Sequence, residues 1–157
     1  MNQSTFLQHQ GQRLLQMGIA LFLYSSLDGF AIPSLASPRI GLSVHTLSAL
    51  QGVMLLAIGL IWTKLRFSRR AAQVAFWCLV YSTLAILAAY TVAAFWGVGI
   101  ETISLMGELP HGLVQGSLFQ ETFIKVLAYS SAPTGLAAFT LILWGLRSGA
   151  RSENGQS

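Results

Sequence analysis

His45 stands about one turn inside an apolar stretch, Ser37–Trp62, that opens on Pro38 and Gly41. An ionisable group inside a hydrocarbon layer is expensive, which makes it a functional-site candidate. Two readings of it stand. Neutral imidazole is a common iron ligand, and a lone intramembrane histidine also serves simply to bond a neighbouring carbonyl. Six residues on lies Gln51, roughly 9 Å deeper at the rise of a helix. A following antiparallel helix brings Tyr90, six residues before Trp96, to about the same depth. Tyr90 can donate a phenolic hydrogen bond to a substrate oxygen or anchor between helices. Asp28 is either an orienting carboxylate or a hydrated residue near a helix end. Glu121 and Lys125, spaced i,i+4, are expected to pair at the membrane edge. Polar side chains from four segments thus share one half of the chain's depth, the pattern of a site in a bundle core. His45 and Gln51 point about 120° apart on a helix. They face one point only if the site lies between subunits or wraps the helix edge. His111 in a loop and His9 near the N-terminus read as solvated, and the lone Cys78 as a small apolar residue.

The elements that must position these residues are membrane spans. Of the 157 residues, 54% are hydrophobic and only 9% charged, against about 25% charged in soluble domains. A span needs about 20 mostly apolar residues. Four segments qualify, approximately 14–35, 42–62, 71–96 and 119–146, and they leave no room for a soluble domain. We therefore expect an all-α membrane protein, one domain over 1–157, folded as a four-transmembrane-helix bundle. Residues Met1–Gln12 read as a mobile or interfacial lead and Ser148–Ser157 as a disordered tail. The loop from Val98 to about Leu118, with Pro110, is long enough to act as a lid over a pocket. The first span resembles a signal peptide only superficially, being longer than the usual apolar run of about 7–15 residues.

The net charge of +4 does not point to nucleic acid, because the cations are not interleaved with aromatics in a patch. Arg13, Lys64, Arg66, Arg69, Arg70, Arg147 and Arg151 fall in the two flanks and the second loop. Arg39, Glu101 and Glu108 fall on the other side. That asymmetry places both termini in the cytoplasm, for a multi-pass protein of a bacterial inner membrane. Gly52 and Gly59 share a helix face, and Ala85, Ala88 and Ala89 offer a second close-packing surface. No internal repeat or heptad pattern is evident.

The chain resembles the hydroxylaminobenzene mutases. The matching pieces are RLLQMGIALFLYSSLDGFAIPSLASPRIGLSVH (13–45), LQGVMLLAIGLIWTKLRFSRRAAQVAFWCLVYSTLA (50–85), FWGVG (95–99), FQET (119–122) and LILWGLR (141–147), with Pro38–His45 the most specific. The resemblance implies a small membrane isomerase that converts an N-aryl hydroxylamine to a 2-aminophenol. It extends, more distantly, to styrene oxide isomerases, four-helix trimers that use ferric haem b. Through that likeness His45 corresponds to the iron ligand, while Gln51 and Tyr90 correspond to the residues that handle the substrate oxygen. Iron with an open position would act as a Lewis acid on that oxygen. Asp28 is the further candidate for contact with a small aromatic substrate. Membrane lipid and further copies of the chain, as in a trimer, are the expected partners.

Three departures from the family pattern fall near the substrate. Gln51 stands for a shorter Asn, Ile86 stands where an Asn is expected, and Leu84 and Leu87 replace bulky aromatics. They leave three other readings in play: an epoxide isomerase, a non-catalytic haem-binding or scaffold protein, and a small exporter built around Asp28.

Overall fold

The structure is a computed structural model that describes residues 2–103 and 116–153, with residues 100, 101 and 148–153 described by their helical path alone. His111, Pro110 and Glu108 lie outside the described residues. Helix α1 (Gln3–Ala31) leads through a short 3₁₀ turn into α2 (Pro38–Ile61), and a second 3₁₀ turn leads to α3 (Arg69–Trp96). A single turn, α4 (Ile100–Ile103), precedes the last helix, α5 (Leu118–Glu153). The breakers act as their chemistry requires. Pro38 occupies the first turn of α2, where its missing N–H costs nothing. Ser68 caps α3 by accepting the N–H of Ala71 at 3.3 Å. Gly97, at φ 67°, ends α3 in the left-handed conformation that glycine adopts without steric cost.

Four helices are long and apolar enough to cross a membrane, counting their flanking turns: Gln3–Ser34, Pro38–Lys64, Arg69–Trp96 and Leu118–Arg147. The side chains they turn outward are apolar, among them Phe30, which is 88% exposed, and Leu27, Leu60 and Leu136. That is the surface expected of a protein solvated by lipid or by further copies of itself. The helices pack mainly as two antiparallel hairpins, α1 on α2 and α3 on α5, joined where α2 meets α3.

A seven-residue period builds the first hairpin. Gly11 opposes Gly59, and Gly18 opposes Gly52, so closely that a Cβ added to any of the four would come within 2.9–3.0 Å of the opposing glycine's carbonyl oxygen. The next step of the same register sets Ser25 against His45. The glycine spacing on α2 is visible in the sequence. Its meaning as a repeat is not, because the period exists only once α1 is laid antiparallel beside it.

The chain's start is corrected. Hydropathy begins the first span at Leu14, yet the helix begins at Gln3. Its polar first turns are held by the neighbouring loop. Gln3 Nε2 donates to the carbonyl of Phe67, and buried Gln10 accepts from the indole N–H of buried Trp62 at 3.1 Å. At the other terminus, Arg66 donates its N–H to the carbonyl of Gly145 at 3.2 Å. Both terminal helices thus meet the basic loop at one end of the molecule. The α5 helix continues to Glu153, past the start of the expected tail.

Candidate functional site

His45 projects into the α1–α2 seam at the end away from the basic loop. Its Nδ1 lies 2.9 Å from the carbonyl oxygen of Ser25 and 3.2 Å from Ser25 Oγ. Ser25 Oγ donates its own proton to the carbonyl of His45 at 2.9 Å. A carbonyl can only accept, so Nδ1 must carry the hydrogen. In the neutral ring this leaves the lone pair on Nε2, which makes no hydrogen bond among the described residues. A histidine oriented in this way is what a metal-ligating imidazole requires. Gly29 makes room for the ring, since a Cβ there would sit 3.3 Å from both Cε1 and Nδ1.

Asp28, beside Gly29, is close enough to interact electrostatically with His45. Its Oδ2 is buried and has no hydrogen bond among the described residues. The structure therefore brings Asp28 and His45 together. Gln51 lies six residues further along α2, half-buried, with its Oε1 enclosed and unpaired.

Tyr90 lies on the other flank of α2. With Thr46, Leu47, Leu50 and Ile86 it lines a groove of about 490 Å³ between α2 and α3. The α2 residues that share this groove with it run from Leu42 to Leu50. Neither His45 nor Gln51 lines that groove, so no cavity among those described holds all three. Tyr90 and Ile86 also line a second cavity of about 230 Å³, bounded by Thr102, Ala128 and Tyr129. They form a wall between two spaces. Ile86, one of the departures from the family pattern, is therefore placed where it shapes both. In the paired departure at Leu84 and Leu87, Leu87 is buried and Leu84 faces outward.

Sequence reasoning missed the link between these two regions. Tyr24 and Thr91 stand 2.9 Å apart, oxygen to oxygen. Thr91 Oγ1 donates to the carbonyl of Leu87 at 2.8 Å, so the phenol must be the donor to Thr91. Tyr24 adjoins Ser25, which holds His45, and Thr91 adjoins Tyr90. One hydrogen bond between α1 and α3 thus ties the imidazole seam to the tyrosine groove. The available signal was the polar run Tyr24–Ser26, unusual in the middle of a span.

Glu121 is a buried carboxylate whose Oε1 accepts the N–H groups of Gly99 at 3.0 Å and Gly116 at 3.2 Å. It fastens the start of the third connection to its end. Cys78 is a free, half-buried thiol on α3, and His9 is exposed on α1. No group of three His, Cys, Asp or Glu residues among those described could cage a bare metal ion.

The chain has relatives among known proteins. It matches the styrene oxide isomerase family over residues 10–147. It is 41% identical over 143 residues to hydroxylaminobenzene mutase HabB of Ectopseudomonas oleovorans, covering 91% of this chain and 85% of that protein. Hydroxylaminobenzene mutase HabA of the same organism is 28% identical over 133 residues, covering 85% of this chain and 96% of its own length. No solved structure matches the chain. A match spanning four membrane-length helices and the His45 seam establishes that this protein belongs to the styrene oxide isomerase family and is an isomerase.

Proposed function

We propose that the protein is a membrane isomerase of the hydroxylaminobenzene mutase type, acting on small aromatic N-hydroxylamines. The rearrangement breaks the N–O bond, forms a C–O bond at the ring carbon ortho to the nitrogen-bearing one, and replaces the C–H bond lost there with a new N–H bond on the amine. No atom is gained or lost, and the product is a 2-aminophenol. The observation that carries this reading is the imidazole of His45, fixed by the Ser25 carbonyl with its Nε2 lone pair free inside an apolar helix pair. The identity to HabB supports the substrate class.

The donor set suits haem b, which brings its own four ring nitrogens and would need an iron ligand from the protein. His45 Nε2 would be that ligand, with Ser25 setting its tautomer. Haem bound there supplies a Lewis acid that withdraws charge from the N–O oxygen without net redox change. The chain's own residues do the rest. Tyr90 and Gln51 donate hydrogen bonds that hold the oxygen, Asp28 sets the charge beside the imidazole, and the apolar helices exclude water. Because His45 and Tyr90 lie on different flanks of α2, the complete site forms against a neighbouring copy, as in a trimer. Both termini lie in the cytoplasm of a bacterial inner membrane, following the basic end of the molecule.

A second reading, an epoxide isomerase, is favoured by the family match itself. Turnover of phenylhydroxylamine and of styrene oxide by the detergent-purified protein separates the two. An absorption spectrum of wild type beside His45→Ala tests the iron site. A haem Soret band present in the first and lost in the second is expected. A folded, colourless wild type, expressed with haem supplied, overturns the haem mechanism.

A further inference from the structure

We propose that the trough between α1 and α3, at the basic end of the molecule, binds one anionic phospholipid. Because α1 packs along α2 and only lightly against α3, a groove stays open between them. Its part nearest the basic loop, about 420 Å³, is lined by His9, Arg13 and Gln73 among others. A part of about 400 Å³ continues it along Met17, Ala20 and Val80. Arg13, Phe76 and Trp77 line both parts, so the two form one continuous channel. It is polar and cationic at one end and apolar at the other.

Arg13 is the reason an anion is favoured. It lies three residues past Gln10, which is bonded to Trp62, and so about 4.5 Å further into the span. A guanidinium exposed at that edge of the span attracts an anionic headgroup. Yet Arg13 makes no hydrogen bond or ion pair among the described residues. The carboxylates with described side chains, Asp28 and Glu121, belong to the opposite end of the molecule. A second cation closes the mouth, since the guanidinium of Arg69 sits 5.1 Å over the ring of Phe6, itself a lining residue.

A free phosphate would fill only the cationic part. The apolar continuation fits an acyl chain, with Trp77 exposed alongside it at 57%. A zwitterionic headgroup would bring its ammonium to Arg69 and Arg13 with no carboxylate among the described side chains to receive it. A second copy applying this same face would set cation against cation. Basic pockets between membrane helices recognise anionic headgroups by this chemistry, and the trough is this chain's version of one.

The test uses the whole protein in phosphatidylcholine nanodiscs that carry brominated phosphatidylglycerol or, in parallel, brominated phosphatidylcholine at the same mole fraction. The Trp77 signal is isolated by difference from Trp77→Phe. Brominated phosphatidylglycerol should quench it about fivefold more effectively than the zwitterionic lipid, the preference one basic contact provides. Arg13→Gln should erase the preference and Arg13→Lys should keep it. Arg147→Gln, at an exposed cation outside the trough, should leave it intact. Size-exclusion profiles confirm that each variant is folded. Equal quenching by both lipids, or displacement of the anionic lipid by inorganic phosphate alone, overturns the proposal. So does a Trp77 that neither lipid reaches, which would show the trough covered by protein.

Discussion

Replacing Gly18 by alanine puts a methyl group where the structure has no room. The new Cβ would stand 2.9 Å from the carbonyl oxygen of Gly52 and 2.8 Å from Leu56 Cγ. Leucine can turn aside, but a helix carbonyl cannot, so relief requires the two helices to separate by several tenths of an ångström. Overpacking of this kind costs about 1–3 kcal/mol. Alanine returns about 1 kcal/mol through its better helix propensity. The net expectation is a loss of about 1 kcal/mol, reaching ~2 kcal/mol if the seam is rigid. For a chain of this size that lowers Tm by about 2–4 °C per kcal/mol, readable by size exclusion of heated, detergent-solubilised protein. Gly18→Ala with Gly52→Ala should cost less than the sum of the two single changes, because both force the same separation. Leu23→Ala, at a side chain 63% exposed, should change Tm by less than Gly18→Ala. A Gly18→Ala protein more stable than wild type would refute the close α1–α2 register and with it the placement of Ser25 against His45.

Four further outcomes are expected. Gln10→Leu leaves the buried indole N–H of Trp62 without its acceptor and should cost about 1–3 kcal/mol, seen as a lower Tm. Tyr24→Phe removes the α1–α3 hydrogen bond and should cost about 0.5–1.5 kcal/mol. If that bond aligns Tyr90 with the imidazole seam, kcat should fall with KM little changed. His45→Gln should abolish isomerase turnover while keeping the protein monodisperse in detergent, and retained turnover would remove His45 from the chemistry. Glu121→Ala strands the N–H groups of Gly99 and Gly116, so hydrogen exchange at those two amides should accelerate, whereas Glu121→Gln retains an acceptor and should accelerate them less.

Much of this protein is legible in one dimension. Bilayer thickness demands runs of about 20 apolar residues, and the chain has four, so the spans follow from hydropathy alone. The cost of burying an imidazole singles out His45 without any coordinates. The residues that carry the family likeness are read directly too.

Register and pairing are not legible in that way, because they depend on which backbones approach closely and on which groups then lack water. Gly11, Gly18 and Ser25 acquire meaning only opposite Gly59, Gly52 and His45. The tautomer of His45 is settled by a carbonyl twenty residues away in sequence. Glu121 invites pairing with Lys125 by local spacing, but that spacing does not reveal the N–H groups of Gly99 and Gly116 that its buried carboxylate accepts. Gln3 and Gln10 look like solvated lead until Phe67 and Trp62 fold back onto them. Hydropathy sums over residues one at a time and therefore finds where the membrane is. Hydrogen bonds and steric fit act between residues far apart in the chain, and only the tertiary structure decided those.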